Sequence, residues 1–113
     1  MMDKGIMGGS ATILILSLLQ DREMYGYQIV QELAAQSNDT FRLQEGTLYP
    51  LLHSLENAGH VVSRLQMMGG RPRRYYHITE SGQALLADKL KQWATITAML
   101  QRLNSDKPLP EGV

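Results

Sequence analysis

From Ser10 to Leu19 the chain is nearly unbroken hydrocarbon, with Ile13, Leu14, Ile15, Leu16, Leu18 and Leu19 placed on every side of a helix. A helix that is apolar all round belongs in the centre of a core or in a contact between subunits. Ser10 is its expected N-cap, and about Gln20 its end. Asp21-Arg22-Glu23 breaks the pattern, and Ile29, Val30 and Leu33 restore it at helical spacing, which predicts a second helix over about Tyr25 to Gln36. Ser37-Asn38-Asp39 is turn chemistry, and Thr40 to Leu43 leaves room only for a very short strand.

A third run, Leu48, Leu51, Leu52, Leu55 and Ala58, follows a helical repeat and is expected to face inward. This helix starts between Gln44 and Thr47 and stops at Gly59, where glycine can adopt the left-handed conformation. Pro50 is tolerable there if it falls within about the first turn, whose N–H groups have no intrahelical partner. The opposite face carries Thr47, Tyr49, Pro50, His53, Ser54 and Asn57, all uncharged and most able to hydrogen-bond. Val61 to Gln66 and Tyr75 to Ile78 then read as two strands; neighbouring Tyr75 and Tyr76 point to opposite sides, so one belongs to the core. Thr79 is suited to N-cap a last helix, with Glu80 favourable at its positive end, running to about Asn104. Pro108 and Pro110 mark a frayed tail.

Composition narrows the class. The chain has 113 residues, 43% apolar and 19% charged, which fits one globular domain. There is no cysteine, which excludes disulfides, thiolate metal sites and cysteine nucleophiles. No apolar stretch approaches the roughly 20 residues of a membrane span, and the N-terminus lacks a secretory pattern, so a soluble cytoplasmic protein is expected. The divisions expected are a flexible segment over 1–9, a helix-and-hairpin domain over 10–78, a terminal helix over 79–104 and a tail over 105–113.

Charge singles out the hairpin. Eleven basic residues balance eleven acidic ones, yet Asn57 to Thr79 contains no acid and carries Arg64, Arg71, Arg73 and Arg74. A neutral chain that concentrates positive charge on one hairpin is expected to present it to a polyanion. Three short helices followed by a β-hairpin and a long helix predict an α+β, mainly α, winged helix-turn-helix. Its third helix is of a size for the DNA major groove, and its hairpin can reach the phosphates beside it. The expected recognition surface is Gly46, Thr47, Tyr49, Pro50, His53, Ser54 and Asn57; the expected wing is Gly70, Arg71, Arg73, Arg74 and Tyr75. Pro72 stiffens the arginine loop and Gly69-Gly70 let it turn. His53, His60 and His77 fall on three different elements, with no spacing of metal ligands, and no glycine-rich phosphate loop opens a helix. An enzyme, a metal site and a cofactor are therefore not expected.

Met24-Tyr25-Gly26-Tyr27, Glu45-Gly46-Thr47-Leu48-Tyr49-Pro50-Leu51-Leu52 with Leu55-Glu56 and Gly59, and Gly69-Gly70-Arg71-Pro72-Arg73-Arg74-Tyr75-Tyr76 with Ile78-Thr79-Glu80-Ser81-Gly82 together resemble the PadR-type bacterial transcriptional regulators. The resemblance spans about residues 8–103. It implies a homodimeric winged-helix repressor on a palindromic operator, released by a small molecule. The single terminal helix looks like the small PadR subfamily, which includes multidrug-sensing repressors. His53 stands where many members carry Lys or Arg. Trp93 matches the tryptophan that drug-sensing members carry on the last helix, although no acid lies between Asp88 and Asp106 to favour a cationic ligand.

Leu86, Trp93 and Leu100 are spaced by heptads on that helix, and Leu90, Ile96 and Leu103 widen the stripe. Such a seam predicts a dimer interface. Trp93, with Thr97 and the flexible Met99, is also the expected wall of a pocket for a flat aromatic effector. The alternative is a dimeric ligand-binding or protein-interaction module of the same fold that binds no operator, a reading that zero net charge favours.

Overall fold

The computed structural model describes residues 4–105, with side chains from residue 10 onward. In chain order it comprises α1 (Lys4–Leu19), β1 (Met24–Tyr25), α2 (Gly26–Gln36), α3 (Glu45–Asn57), β2 (Val61–Met68), β3 (Arg71–Ile78) and α4 (Glu80–Leu103). The three strands form one antiparallel sheet in the order β1-β3-β2. This is a mainly helical α+β winged helix.

α1 begins at Lys4, well before Ser10, so Ser10 lies inside the helix and is not its cap. Extending an existing helix adds one hydrogen bond for each residue fixed, and even a glycine-containing segment can follow. The rest of the expected flexible segment and the tail with Pro108 and Pro110 lie outside the described residues. Ala11, Ile15, Leu16 and Leu19 of α1 are buried, while Ile13, Leu14 and Leu18 pack against the core from its edge.

α2 and α3 close over this helix through Ile29, Leu33, Leu48, Leu52 and Leu55, all buried. No strand forms at Thr40 to Leu43; the segment is irregular and sends Phe41 and Leu43 into the core. The Ser37 hydroxyl holds its start, donating to the Leu33 carbonyl at 2.8 Å and accepting from the Phe41 N–H at 2.8 Å. The additional strand is β1, which pairs Met24 with Tyr76 and Tyr25 with Tyr75. α3 ends as expected at Gly59 (φ +83°), where the Gly59 N–H reaches the Glu56 carbonyl and the His60 N–H reaches that of Leu55, satisfying carbonyls at the helix end. Ala58 is exposed at this cap, not inward. Pro50 falls in the second turn and leaves the Gly46 carbonyl without its intrahelical donor; Gly46 is exposed, so water can supply one.

The Thr79 side chain caps α4, accepting from the Gly82 N–H at 3.1 Å. Leu86 is the last fully buried residue along α4. Beyond it, Leu90, Trp93, Ile96, Met99, Leu100 and Leu103 are 43–69% exposed. Leu86, expected on the open seam, is instead a core residue at 3% exposure, because the first turns of α4 pack on the domain.

Candidate nucleic-acid interface

α3 presents the face that its apolar periodicity leaves free. Leu48, Leu52 and Leu55 anchor it, and Gly46, Thr47, Tyr49, Pro50, His53, Ser54 and Asn57 are all exposed. The hairpin stands beside it. β2 and β3 pair without interruption from Val61↔Ile78 to Met68↔Arg71, and only Gly69 and Gly70 form the turn, both at positive φ. The arginines expected in a loop are therefore strand residues. Their side chains alternate, so Arg71, Arg73 and Tyr75 share one face of the sheet while Arg74 shares the other with Tyr76.

The face with Arg73 is built from stacked cations and rings. The Arg73 guanidinium lies 4.4 Å from the centroid of the Tyr25 ring. Tyr25 meets Tyr75 edge to face at 5.4 Å, and Arg64 covers Tyr75 from 5.9 Å. Arg64 also binds the Glu23 carboxylate through Nε and Nη2. The hydrogen bond from Arg64 holds the Glu23 carboxyl below its ordinary value, and the carboxylate in turn raises the guanidinium. Burial pushes the Tyr76 hydroxyl up, and the nearby Glu56 carboxylate adds to that shift.

Wing and α3 enclose a common groove of about 750 Å³. Tyr49, Gly70, Arg71 and Arg73, singled out in the sequence, meet there; Tyr25, Tyr27, Glu45 and Pro72 complete the walls. Gly46, Thr47 and Pro50 do not line it, nor do His53, Ser54 and Asn57 further along α3, nor Arg74 and Tyr75 of the wing. Neither Arg71 nor Arg73 forms an ion pair among the described residues. Tyr25 and Tyr27 belong to a motif legible in the sequence, but their place in the groove depends on β1, which it does not reveal.

A second, almost wholly apolar hollow of about 290 Å³ lies between α1 and α4. Trp93 lines it with Ser10, Ile13, Leu14 and Phe41. Thr97 and Met99, the expected companions of Trp93, are exposed and do not line it, because α1 rather than the next turn of α4 supplies the wall. Among the described residues no three His, Asp or Glu are grouped to hold a metal ion, and no helix is long and apolar enough to cross a membrane.

Residues 15–88 match the family model described as the transcriptional regulator PadR-like family. The chain belongs to the PadR-like family. A relative described only as an uncharacterized protein, from Lysinibacillus sphaericus, is 32% identical over 88% of this chain and 93% of its own. Transcriptional regulator Rv3488 of Mycobacterium tuberculosis is 42% identical over 66% of each chain. The crystal structure of a PadR family transcriptional regulator from Eggerthella lenta superposes with a TM-score of 0.78 at 31% identity, covering 88% of this chain and 85% of that one. This PadR-like protein is thus a transcriptional regulator with a DNA-binding winged-helix fold.

Proposed function

We propose that this PadR-like regulator binds a palindromic operator as a homodimer, represses transcription in the cytoplasm and is released by a small aromatic effector. The observation that carries DNA binding is the shared groove. It joins Tyr49, on the exposed face of α3, to Arg71 and Arg73, two arginines with no acidic partner among the described residues. In this reading Thr47, Tyr49, His53, Ser54 and Asn57 offer hydroxyl, imidazole and amide groups to base edges and phosphates. The wing gives affinity and register on the backbone. The exposed apolar residues of α4 support the dimer, and twofold symmetry requires the operator to be palindromic. The apolar hollow beside Trp93 supports the effector; its volume is just below the range of about 300–1,000 Å³ for small-molecule sites, which suits only a small ligand.

Fluorescence anisotropy with a labelled duplex from upstream of the protein's own gene tests this. Affinity should fall linearly on a log–log plot against salt, and Arg71→Ala and Arg73→Ala should each flatten the slope by about 0.9 for every phosphate the arginine neutralises. A folded dimer that shows no salt-dependent binding to this duplex would instead support the module without operator binding, which the balanced net charge favours.

A further inference from the structure

The hairpin sequence from Asn57 to Thr79 has no acidic residue, but in space two carboxylates reach it. Glu23 binds Arg64 directly. Glu56, at the end of α3, accepts a hydrogen bond from the Ser63 hydroxyl at 2.7 Å, and the Ser63 oxygen in turn accepts one from Arg74 Nη1 at 3.0 Å. A chain Arg74–Ser63–Glu56 therefore ties β3 through β2 to α3. Its three members come from the three elements whose mutual angle sets where the wing stands relative to the recognition face.

We propose that Glu56, Ser63 and Arg74 form a polar strut that fixes the wing against α3, so that Arg74 is a positioning residue and the phosphate contacts of β3 fall to Arg71 and Arg73. The sheet pleat supports this division. Arg71 and Arg73 are on the groove face, whereas Arg74 is on the opposite face, in line with buried Tyr76 and Ile78. Arg74 is not among the groove-lining residues. The Ser63 hydroxyl can act both as acceptor and as donor, which lets one small side chain join a cation to an anion without bringing them into contact. The hydrogen bonds are charge-assisted at both ends, and such bonds are stronger than neutral ones.

The inference rests on the DNA-binding reading for its consequence but not for its existence, and two measurements separate them. In the anisotropy assay, Ser63→Ala and Arg74→Ala should each weaken operator binding severalfold, since the Arg74 end of the link is open to solvent, while leaving the salt slope unchanged. Ser63→Thr, which keeps the hydroxyl, should restore binding. An Arg74→Ala slope as flat as that of Arg73→Ala would make Arg74 a phosphate contact and overturn the proposal. The second measurement uses no DNA. The chain has no cysteine, so Met68→Cys and Asn57→Cys place spin labels on the wing and on α3 alone. In protein diluted with unlabelled chains, Ser63→Ala should broaden the wing-to-helix distance distribution and Ser63→Thr should restore it. A distribution unchanged by Ser63→Ala overturns the strut. If the unsubstituted protein binds no DNA, the operator reading falls and the distance distribution alone decides for or against the strut.

Discussion

The Tyr49 ring lies against the backbone of Gly26, so close that a Cβ on Gly26 would stand 2.5 Å from the phenolic oxygen and 2.8 Å from Cζ. Gly26 is the first residue of α2 and Tyr49 is in the first turns of α3, so this contact packs the two helices at the mouth of the groove. Gly26→Ala should force the ring aside. Because the obstacle is the end of a side chain that can swing, the cost belongs at the low end for overpacking, about 1 kcal/mol. Urea denaturation checks this, with Tyr49→Ala as the second arm of a double-mutant cycle. If Gly26→Ala costs the same with and without Tyr49, the ring is not what it meets.

Gly82 gives the contrasting case. A Cβ there would fall far inside van der Waals contact with the His60 carbonyl oxygen, and 2.8 Å from Ile78 Cγ1. The carbonyl is backbone and already accepts the Thr79 N–H at 3.1 Å, so it cannot move aside. Gly82→Ala should therefore cost about 3 kcal/mol or more, at the upper end for overpacking. Gly46→Ala is the control, since nothing lies within 4 Å of its Cβ. It should stabilise α3 by up to about 1 kcal/mol through helix propensity alone. Denaturation midpoints that rank these two substitutions in the other order would contradict the packing described.

Where one face of an element is covered, the sequence was a sufficient guide. α2, α3 and α4 follow apolar residues at helical spacing, and their ends follow local capping at Gly59 and Thr79. It failed where covering stops. β2 and β3 continue past Gln66 and before Tyr75, where Met67, Met68, Arg71, Pro72 and Arg74 are exposed because no core lies below them. Their register comes from the turn instead, since Gly69 and Gly70 at φ 59° and 79° suit a two-residue hairpin. β1 has two residues, too few for any period. The groove was half legible for the same reason: Tyr49 and the arginines stand out by type, but Tyr25 joins them only through pairing with Tyr75. The pairing of Arg64 with Glu23 and the link from Arg74 to Glu56 cross elements, and no local pattern encodes them.

Glu23 gives a pH signature. Its folded carboxyl is depressed below 4.5, chiefly by the hydrogen bond from Arg64. A depressed carboxyl contributes stability above its unfolded value, and this is lost as pH falls through the folded one. Glu23→Gln should therefore lower stability at pH 7, and the difference should disappear as pH falls through the folded value. The pair is open to solvent, so the difference at pH 7 should be small and should shrink further in high salt. Denaturation of both proteins across pH 3–7 would show the curves converging at the acid end. Parallel curves would mean that the ion pair does not contribute to the fold.

The proposed effector site makes Trp93 its own reporter, because it is the only tryptophan. Planar aromatic compounds that enter the hollow beside Phe41, Ile13 and Leu14 should quench or shift its emission, and the same compounds should release the operator duplex. Leu14→Phe, which adds bulk without a second tryptophan, should narrow the hollow and weaken both effects while the protein still binds DNA. Trp93→Ala that remains dimeric and fully inducible would sink the site.

The proposed dimer places the open seam of α4 against its symmetry mate. Trp93 and Leu100 are 43% and 53% exposed in the single chain, and Ile96 and Leu103 flank them at 49% and 69%. Six large apolar side chains along one helix form a patch larger than isolated surface hydrophobics require, so a second chain should cover it. Leu100 lies on the heptad stripe, so Leu100→Lys would bury an unpaired charge in the apolar contact. Dimer affinity should fall by well over tenfold, a change of more than about 1.4 kcal/mol. Sedimentation velocity across a concentration series measures this, and Trp93 emission should shift red as the dimer separates. Gln101→Lys adds the same charge one residue away, off the heptad stripe, and should leave assembly unchanged. Equal effects of the two substitutions, or a Leu100→Lys protein that sediments as the unsubstituted one does, would place the dimer contact elsewhere.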